Sequence, residues 1–180
     1  MQLHDLTFAP LLTEGQIAER VAELGTGLAA KLDTGAADTP LLIAVLNGAA
    51  IFHADLARAC SAPLELAYLR TRSYRGTDTT GEVELHWPDD LDVRGRRVVL
   101  VEDIVDSGHT LSLLVEATRE RGATEVSTVV LLDKPAARRV AFVPDVVGFA
   151  IDEAFVVGYG LDYDGLGRNL AGVWQRSPAT

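Results

Sequence analysis

The sequence predicts an α/β fold, a largely parallel central sheet flanked by helices, and two observations carry that prediction. Short apolar runs rich in Val, Ile and Leu lie at 41–46, 64–69, 98–101 and 125–132; they are too short for helices, and 41–46 and 98–101 are continuous enough to be buried on both faces. The runs at 41–46 and 98–101 each lead through a Gly-containing loop into a segment of helical periodicity, the unit from which parallel sheets are built. Ligands of such sheets bind above the C-terminal strand ends.

With 180 residues the chain fits one domain, 1–180, able to bury roughly two-thirds of its unfolded surface. Its 48% apolar and 23% charged residues describe a folded protein, and the net charge of −10 disfavours nucleic acid or an acidic membrane as partner. A lone Cys60 excludes an internal disulfide framework and a multi-cysteine zinc site. MQLHDLTFAP lacks the basic and apolar regions of a secretory signal, and no apolar run approaches 18 residues. The expectation is a soluble, cytoplasmic protein.

In chain order, Thr13 and Gln16 have capping-box spacing, and Ile17, Val21, Leu24 and Leu28 recur at helical intervals, predicting a helix over 14–32. Gly25 and Gly27 within it suggest close packing. Residues 33–40 read as a linker. The strand at 41–46 ends in Asn47-Gly48, on spacing alone a plain turn or a binding loop, and Ile51, Phe52, Leu56 and Ala57 continue as a helix face. His53 has no metal-ligand partner at useful spacing and reads as a packing or surface residue. Residues 64–69 and 82–87 suggest a hairpin around the polar stretch TRSYRGTDTTG, either a plain exposed loop or a cover for a site; His86 falls on its solvated side. Leu111, Leu114, Val115 and Thr118 form a helix stopped by Arg121-Gly122. The strand at 125–132 ends in Asp133-Lys134-Pro135, and Arg138-Arg139 opens a more irregular segment. Residues 143–149 and 155–159 supply short apolar pieces; 161–170 is carboxylate-rich, and RSPAT reads as a loose tail.

The chemistry concentrates in RRVVLVEDIVDSGHTL, residues 96–111. The apolar strand ends there in Glu102-Asp103, and Asp106-Ser107-Gly108 precedes a helix whose first N–H groups have no internal partner. Three carboxylates beside an anion site point to a phosphorylated ligand with a divalent metal and a proton acceptor; the bland alternative is an acidic loop capping a helix. The absence of GxxxxGK[ST] and GxGxxG disfavours P-loop hydrolases and dinucleotide dehydrogenases.

VLVEDIVDSGHTL at 99–111 resembles the phosphoribosyl-diphosphate signature of type I phosphoribosyltransferases. With LNGAAIFHADL (46–56), RSYRGTDTTGEV (72–83), LLDKP (131–135) and FVVGYGLDYDGLGRNL (155–170), the chain over about residues 5–175 is similar to the hypoxanthine-guanine members. The resemblance implies a core of about 36–150, a small hood from 1–12 and 151–175, and a mobile hairpin lid at 71–84. It implies phosphoribosyl transfer from 5-phosphoribosyl 1-diphosphate to hypoxanthine or guanine, with Mg²⁺. Glu102 and Asp103 would hold the ribose hydroxyls directly or through the metal, and Asp106 would take or share the N7 proton. Asp106, Ser107, Gly108, His109 and Thr110 would bind the 5′-phosphate. Leu46, Asn47 and Gly48 would form the diphosphate loop, which in relatives often carries a cis peptide. Ser73 and Tyr74 match the lid pair. Lys134 would read the 6-oxo group, Phe155 stack on the base and Val156 address its edge by main chain. Asp162 matches a second metal carboxylate beside the purine, and Arg168 a diphosphate contact.

Two residues depart from the pattern. Asn47 stands where many relatives carry Lys or Arg, implying altered affinity, and His109 replaces a common Lys, so its charge is expected to follow pH if it reaches phosphate. The resemblance also implies a homodimer or homotetramer, with 41–60 near the interface. Alternatives are a transferase preferring xanthine or another base, and a non-catalytic regulatory protein binding phosphoribosyl diphosphate or RNA.

Overall fold

Alternate side chains of the central strands face opposite helix layers, and this alternation organises the molecule. The computed structural model describes residues 1–33, 38–73 and 83–178. In chain order the elements are β1 (Gln2–Leu3), β2 (Leu6–Leu12), α1 (Glu14–Leu32), β3 (Leu41–Leu46), α2 (Ala50–Ala59), β4 (Glu65–Ser73), β5 (Val83–His86), β6 (Arg97–Val105), α3 (His109–Glu120), β7 (Glu125–Asp133), a 3₁₀ turn (Pro135–Ala137), β8 (Val146–Ala150), β9 (Val156–Val157) and β10 (Val173–Arg176). A six-stranded sheet runs β5-β4-β3-β6-β7-β8, parallel except for the β4–β5 pair. The terminal segments build a second, antiparallel sheet, β1-β2-β10-β9.

Leu42, Ala44, Val99, Val101, Val129 and Leu131 pack with α1 and α2 on one side of the large sheet. Leu41, Ile43, Val45, Val98, Leu100 and Val130 pack with α3 on the other. Burial on both faces explains why 41–46 and 98–101 read as unbroken apolar runs, whereas β7 carries buried Ser127 and Thr128. The helix predicted over 14–32 forms with those bounds, its capping box closed by Thr13 N–H donating to Gln16 Oε1 (2.9 Å) and Gln16 N–H to Thr13 Oγ1 (3.3 Å).

Several expectations change. Only Gly25 serves close packing: a Cβ there would stand 2.5 Å from Ala59 Cβ on α2, whereas Gly27 faces open space. The 96–111 strand does not stop at the acid pair but continues to Val105. Its pairing with β3 ends at Val101, while pairing with β7 runs on to Val105↔Asp133. The acid pair therefore belongs to a one-sided extension beside the end of β3. The predicted loose tail is tied down at its start, because Arg176 closes β10 and Ser177 N–H donates to Thr7 O at 2.8 Å.

Candidate active site

The C-terminal ends of β3, β6 and β7 bring the chemistry-bearing residues together. After β6, Gly108 adopts φ +82° and caps α3 without a side-chain hydrogen bond. The helix end is therefore open to an anion. Residues 106–108, 110 and 111 line a cavity of about 300 Å³, with Glu102 and Thr71 opposite. His109 opens α3, half-buried, and is the one residue of 106–111 outside that lining; its N–H donates to Ser107 Oγ at 3.3 Å.

The acid pair is largely removed from water. Burial holds the Glu102 carboxyl well above the usual range, and the neighbouring Asp103 charge adds to the effect. Asp103 is also raised by burial, opposed by hydrogen bonds with Glu102 and the Ile104 N–H and by the positive Arg168. Glu102 Oε2 is buried with no hydrogen-bond partner among the described residues. Such an oxygen fits a hydroxyl donor or a hydrated cation.

The β3 junction is built from main chain. The Leu46–Asn47 peptide is cis, and a Cβ on Gly48 would lie 1.6 Å from Asp103 Oδ2. From the other side, a Cβ on Gly160 (φ +105°) would meet Gly48 O at 2.0 Å. Asn47 is exposed. The Gly160 segment also carries Arg168, whose guanidinium donates to Gly160 O (2.6 Å) and pairs with Asp162 (2.5 Å). Asp162 accepts the Gly165 N–H at 2.8 Å as well. It is thus engaged within its own loop, and no group of three metal-ligating His, Cys, Asp or Glu side chains assembles among the described residues.

A second cavity, of about 520 Å³, shares Asp106 with the first and adds Lys134, Arg138, Arg139, Glu153 and Phe155. Lys134 is buried, with Nζ 2.8 Å from Asp106 Oδ1. Phe155 is 43% exposed and meets Tyr163 edge-on, centroids 5.6 Å apart. Val156 is buried in β9 beside Gln175 of β10. Ser73 ends β4, paired with Val83. Tyr74 lies outside the described residues. His53, read as a packing or surface residue, is not on the surface but fully buried, Nε2 3.1 Å from Leu42 O and the ring edge-on to Tyr68.

A phosphoribosyl transferase domain family model matches residues 14–164. The hypoxanthine-guanine phosphoribosyltransferase of Bacillus subtilis (strain 168) is 43% identical over 99% of this chain and 98% of its own. The chain belongs to the hypoxanthine-guanine phosphoribosyltransferase family. A Listeria innocua bifunctional protein TilS/HprT is 44% identical over 89% of this chain, which spans about a quarter (24%) of that longer relative. A solved hypoxanthine phosphoribosyltransferase from Trypanosoma cruzi, in complex with the product IMP, superposes with a TM-score of 0.88 at 35% identity, covering 99% of this chain and 98% of that one.

Sequence reasoning passed over three residues of this phosphoribosyltransferase site. Arg138 and Asp133 form a half-buried ion pair beneath Asp106, and Gly160 presses on Gly48. The first two were visible only as charges around Lys134-Pro135. Nothing local in the sequence relates Gly160 to Gly48, 112 positions earlier (160 minus 48).

Proposed function

We infer that this chain transfers the phosphoribosyl group from 5-phosphoribosyl 1-diphosphate to hypoxanthine or guanine, forming IMP or GMP and diphosphate. The observation that carries the reading is the sharing of Asp106 between the two cavities, one bounded by an open helix end and the other by Lys134 and Phe155. A proton acceptor at the junction of a phosphate site and a base site suits glycosidic bond formation. The purine nitrogen bonds to ribose C1 as the C1–O bond breaks and its electron pair leaves with diphosphate. The N7 proton passes to Asp106.

The remaining roles are those the family resemblance implies, each with the chemistry that suits it. Main-chain N–H groups of 107–110 and the Ser107 and Thr110 hydroxyls hold the 5′-phosphate, and Glu102 and Asp103 hold the ribose hydroxyls. Mg²⁺ would be held by Glu102 and Asp103 and would neutralise charge on the departing diphosphate; a second ion at Asp162, which the resemblance implies, would have to displace its pairing with Arg168. Leu46, Asn47 and Gly48 receive the diphosphate, with Arg168 adding positive charge. Lys134 donates to the 6-oxo group, Phe155 stacks on the base and Val156 meets its edge. Lys134 would face a 6-amino donor badly, which disfavours adenine. Residues 71–84, with Ser73 and Tyr74, serve as a lid that excludes water, and the sheet of terminal strands serves as the hood.

A homodimer or homotetramer is part of the proposal, supported by Leu66 (49% exposed) and Tyr68 (42%) on one face of β4. A cytoplasmic setting is supported by the substrate, a triply phosphorylated sugar that does not cross a bilayer unaided; no helix among the described residues is long and apolar enough to span one. The test is nucleotide formation from phosphoribosyl diphosphate, Mg²⁺ and each of hypoxanthine, guanine and xanthine. IMP and GMP are expected, and no product from any of the three would overturn the reading.

A further inference from the structure

Asp106 is held at two atoms by residues of a single turn. Lys134 meets its carboxylate at 2.8 Å, and Arg138 Nη1 donates to its main-chain oxygen at 2.9 Å. The other arm of the Arg138 guanidinium pairs with Asp133, the residue before Lys134 and itself buried. The Arg138 stem passes under the left-handed Gly108, where a Cβ would stand 2.8 Å from Arg138 Cδ. Main-chain bonds from Lys134 N–H to Val105 O (2.9 Å) and from Arg139 N–H to Ser107 O (3.0 Å) flank this contact. We propose that Arg138 is a positioning residue of the transfer reaction: its guanidinium ties the base-reading turn 133–139 to the phosphate loop 106–110.

The proposal rests on the assigned roles of Asp106 and Lys134. Asp106 directly follows β6 and Lys134 directly follows β7; main-chain bonds join the two segments, and the planar Arg138 fork adds a side-chain tie between them. One arm cancels a buried carboxylate and the other holds a carbonyl at a set direction, which a single ammonium cannot do together. A proton acceptor displaced by about 1 Å can lose on the order of 100-fold in rate. Arg138 also lines the second cavity, but both of its guanidinium bonds go to protein, and the proposed action on the reaction passes through Asp106.

The test uses the full chain with Arg138→Met and Arg138→Lys. Arg138→Met should lower kcat/KM about 100-fold and speed amide hydrogen exchange in 106–110. Arg138→Lys keeps a cation beside Asp133, so thermal stability should return close to the parent while kcat stays at least about tenfold down. Stability regained without catalysis separates positioning from mere support of the fold. Kinetics of Arg138→Met within about twofold of the parent would overturn the proposal, as would an Arg138→Lys enzyme whose catalysis recovers in step with its stability. If Arg138→Met fails to fold, Arg138→Lys decides. A parent inactive on every 6-oxopurine would instead overturn the assigned function, and exchange in 106–110 would still report whether the tether exists.

Discussion

The β3–α2 and β6–α3 junctions are the same strand-loop-helix unit, side by side at the C-terminal ends of two neighbouring central strands, yet they are built by different means. At the β6 junction the working groups are side chains and open amides that follow one another from Glu102 to Thr110, and the space around them is a cavity. At the β3 junction the chain is pressed from both sides, Gly48 against Asp103 and Gly160 against Gly48 O, and the exposed Asn47 adds no charge. Side-chain chemistry thus sits on one loop, and close backbone approach shapes its neighbour. Asp103 takes part in both, as a member of the acid pair and as the wall against Gly48.

Substitutions at each junction can break or sharpen this contrast. The largest effect is expected for Asp106→Asn, which keeps the size and removes the acceptor: kcat should fall about 10²–10⁴-fold with phosphoribosyl diphosphate binding little changed, and steady-state kinetics with near-normal turnover would remove the assigned role. Gly48→Ala should follow, losing about 100-fold in kcat/KM because the added methyl displaces either the loop or Asp103. Normal kinetics in that variant would show that the β3 loop is not shaped by contact at all.

Glu102→Gln should cost activity and raise the thermal stability of the ligand-free protein. A carboxyl raised in the fold contributes stability at low pH that is lost as pH rises from about 4.5 through its folded value. The glutamine variant should lack that slope in melting curves taken from pH 4 to 8. The smallest effect is expected behind the β3 junction, at His53. Burial lowers its affinity for protons from the usual 6.5, so stability present above that pH should decline as pH falls below it. His53→Gln should flatten the decline, and identical melting curves for parent and variant across pH 5–7 would exclude it.

The same contrast explains what the sequence made legible. The 99–111 string could be read because strand, acid pair, glycine and hydroxyls are contiguous, and a local pattern encodes a local site. The apolar runs of β3 and of residues 98–101 in β6 were equally readable as strands, since burial on both faces leaves them no polar positions. The extent of β6 was misjudged because polar Glu102 and Asp103 interrupt its apolar run, although β7 continues to pair with it. Arg138 was not legible because its two partners, Asp133 and the Asp106 carbonyl, meet only when β6 and β7 lie together. Gly160 was not legible for a similar reason: its value lies in an atom it lacks, beside a residue in the loop that follows β3.

The pairing of Lys134 with Asp106 also bears on how the two substrates sense salt. Around the second cavity Asp106, Asp133 and Glu153 match Lys134, Arg138 and Arg139 in number, so this region carries no net charge. A neutral purine has little to gain from long-range attraction there, and dissolved ions have little to screen. In the proposed roles the polyanionic sugar substrate would approach a helix end and Arg168, itself paired with Asp162, in a chain whose overall charge of −10 opposes it. Ionic strength should therefore alter the KM for phosphoribosyl diphosphate while leaving that for the base nearly constant, a division set by the charge each substrate itself carries.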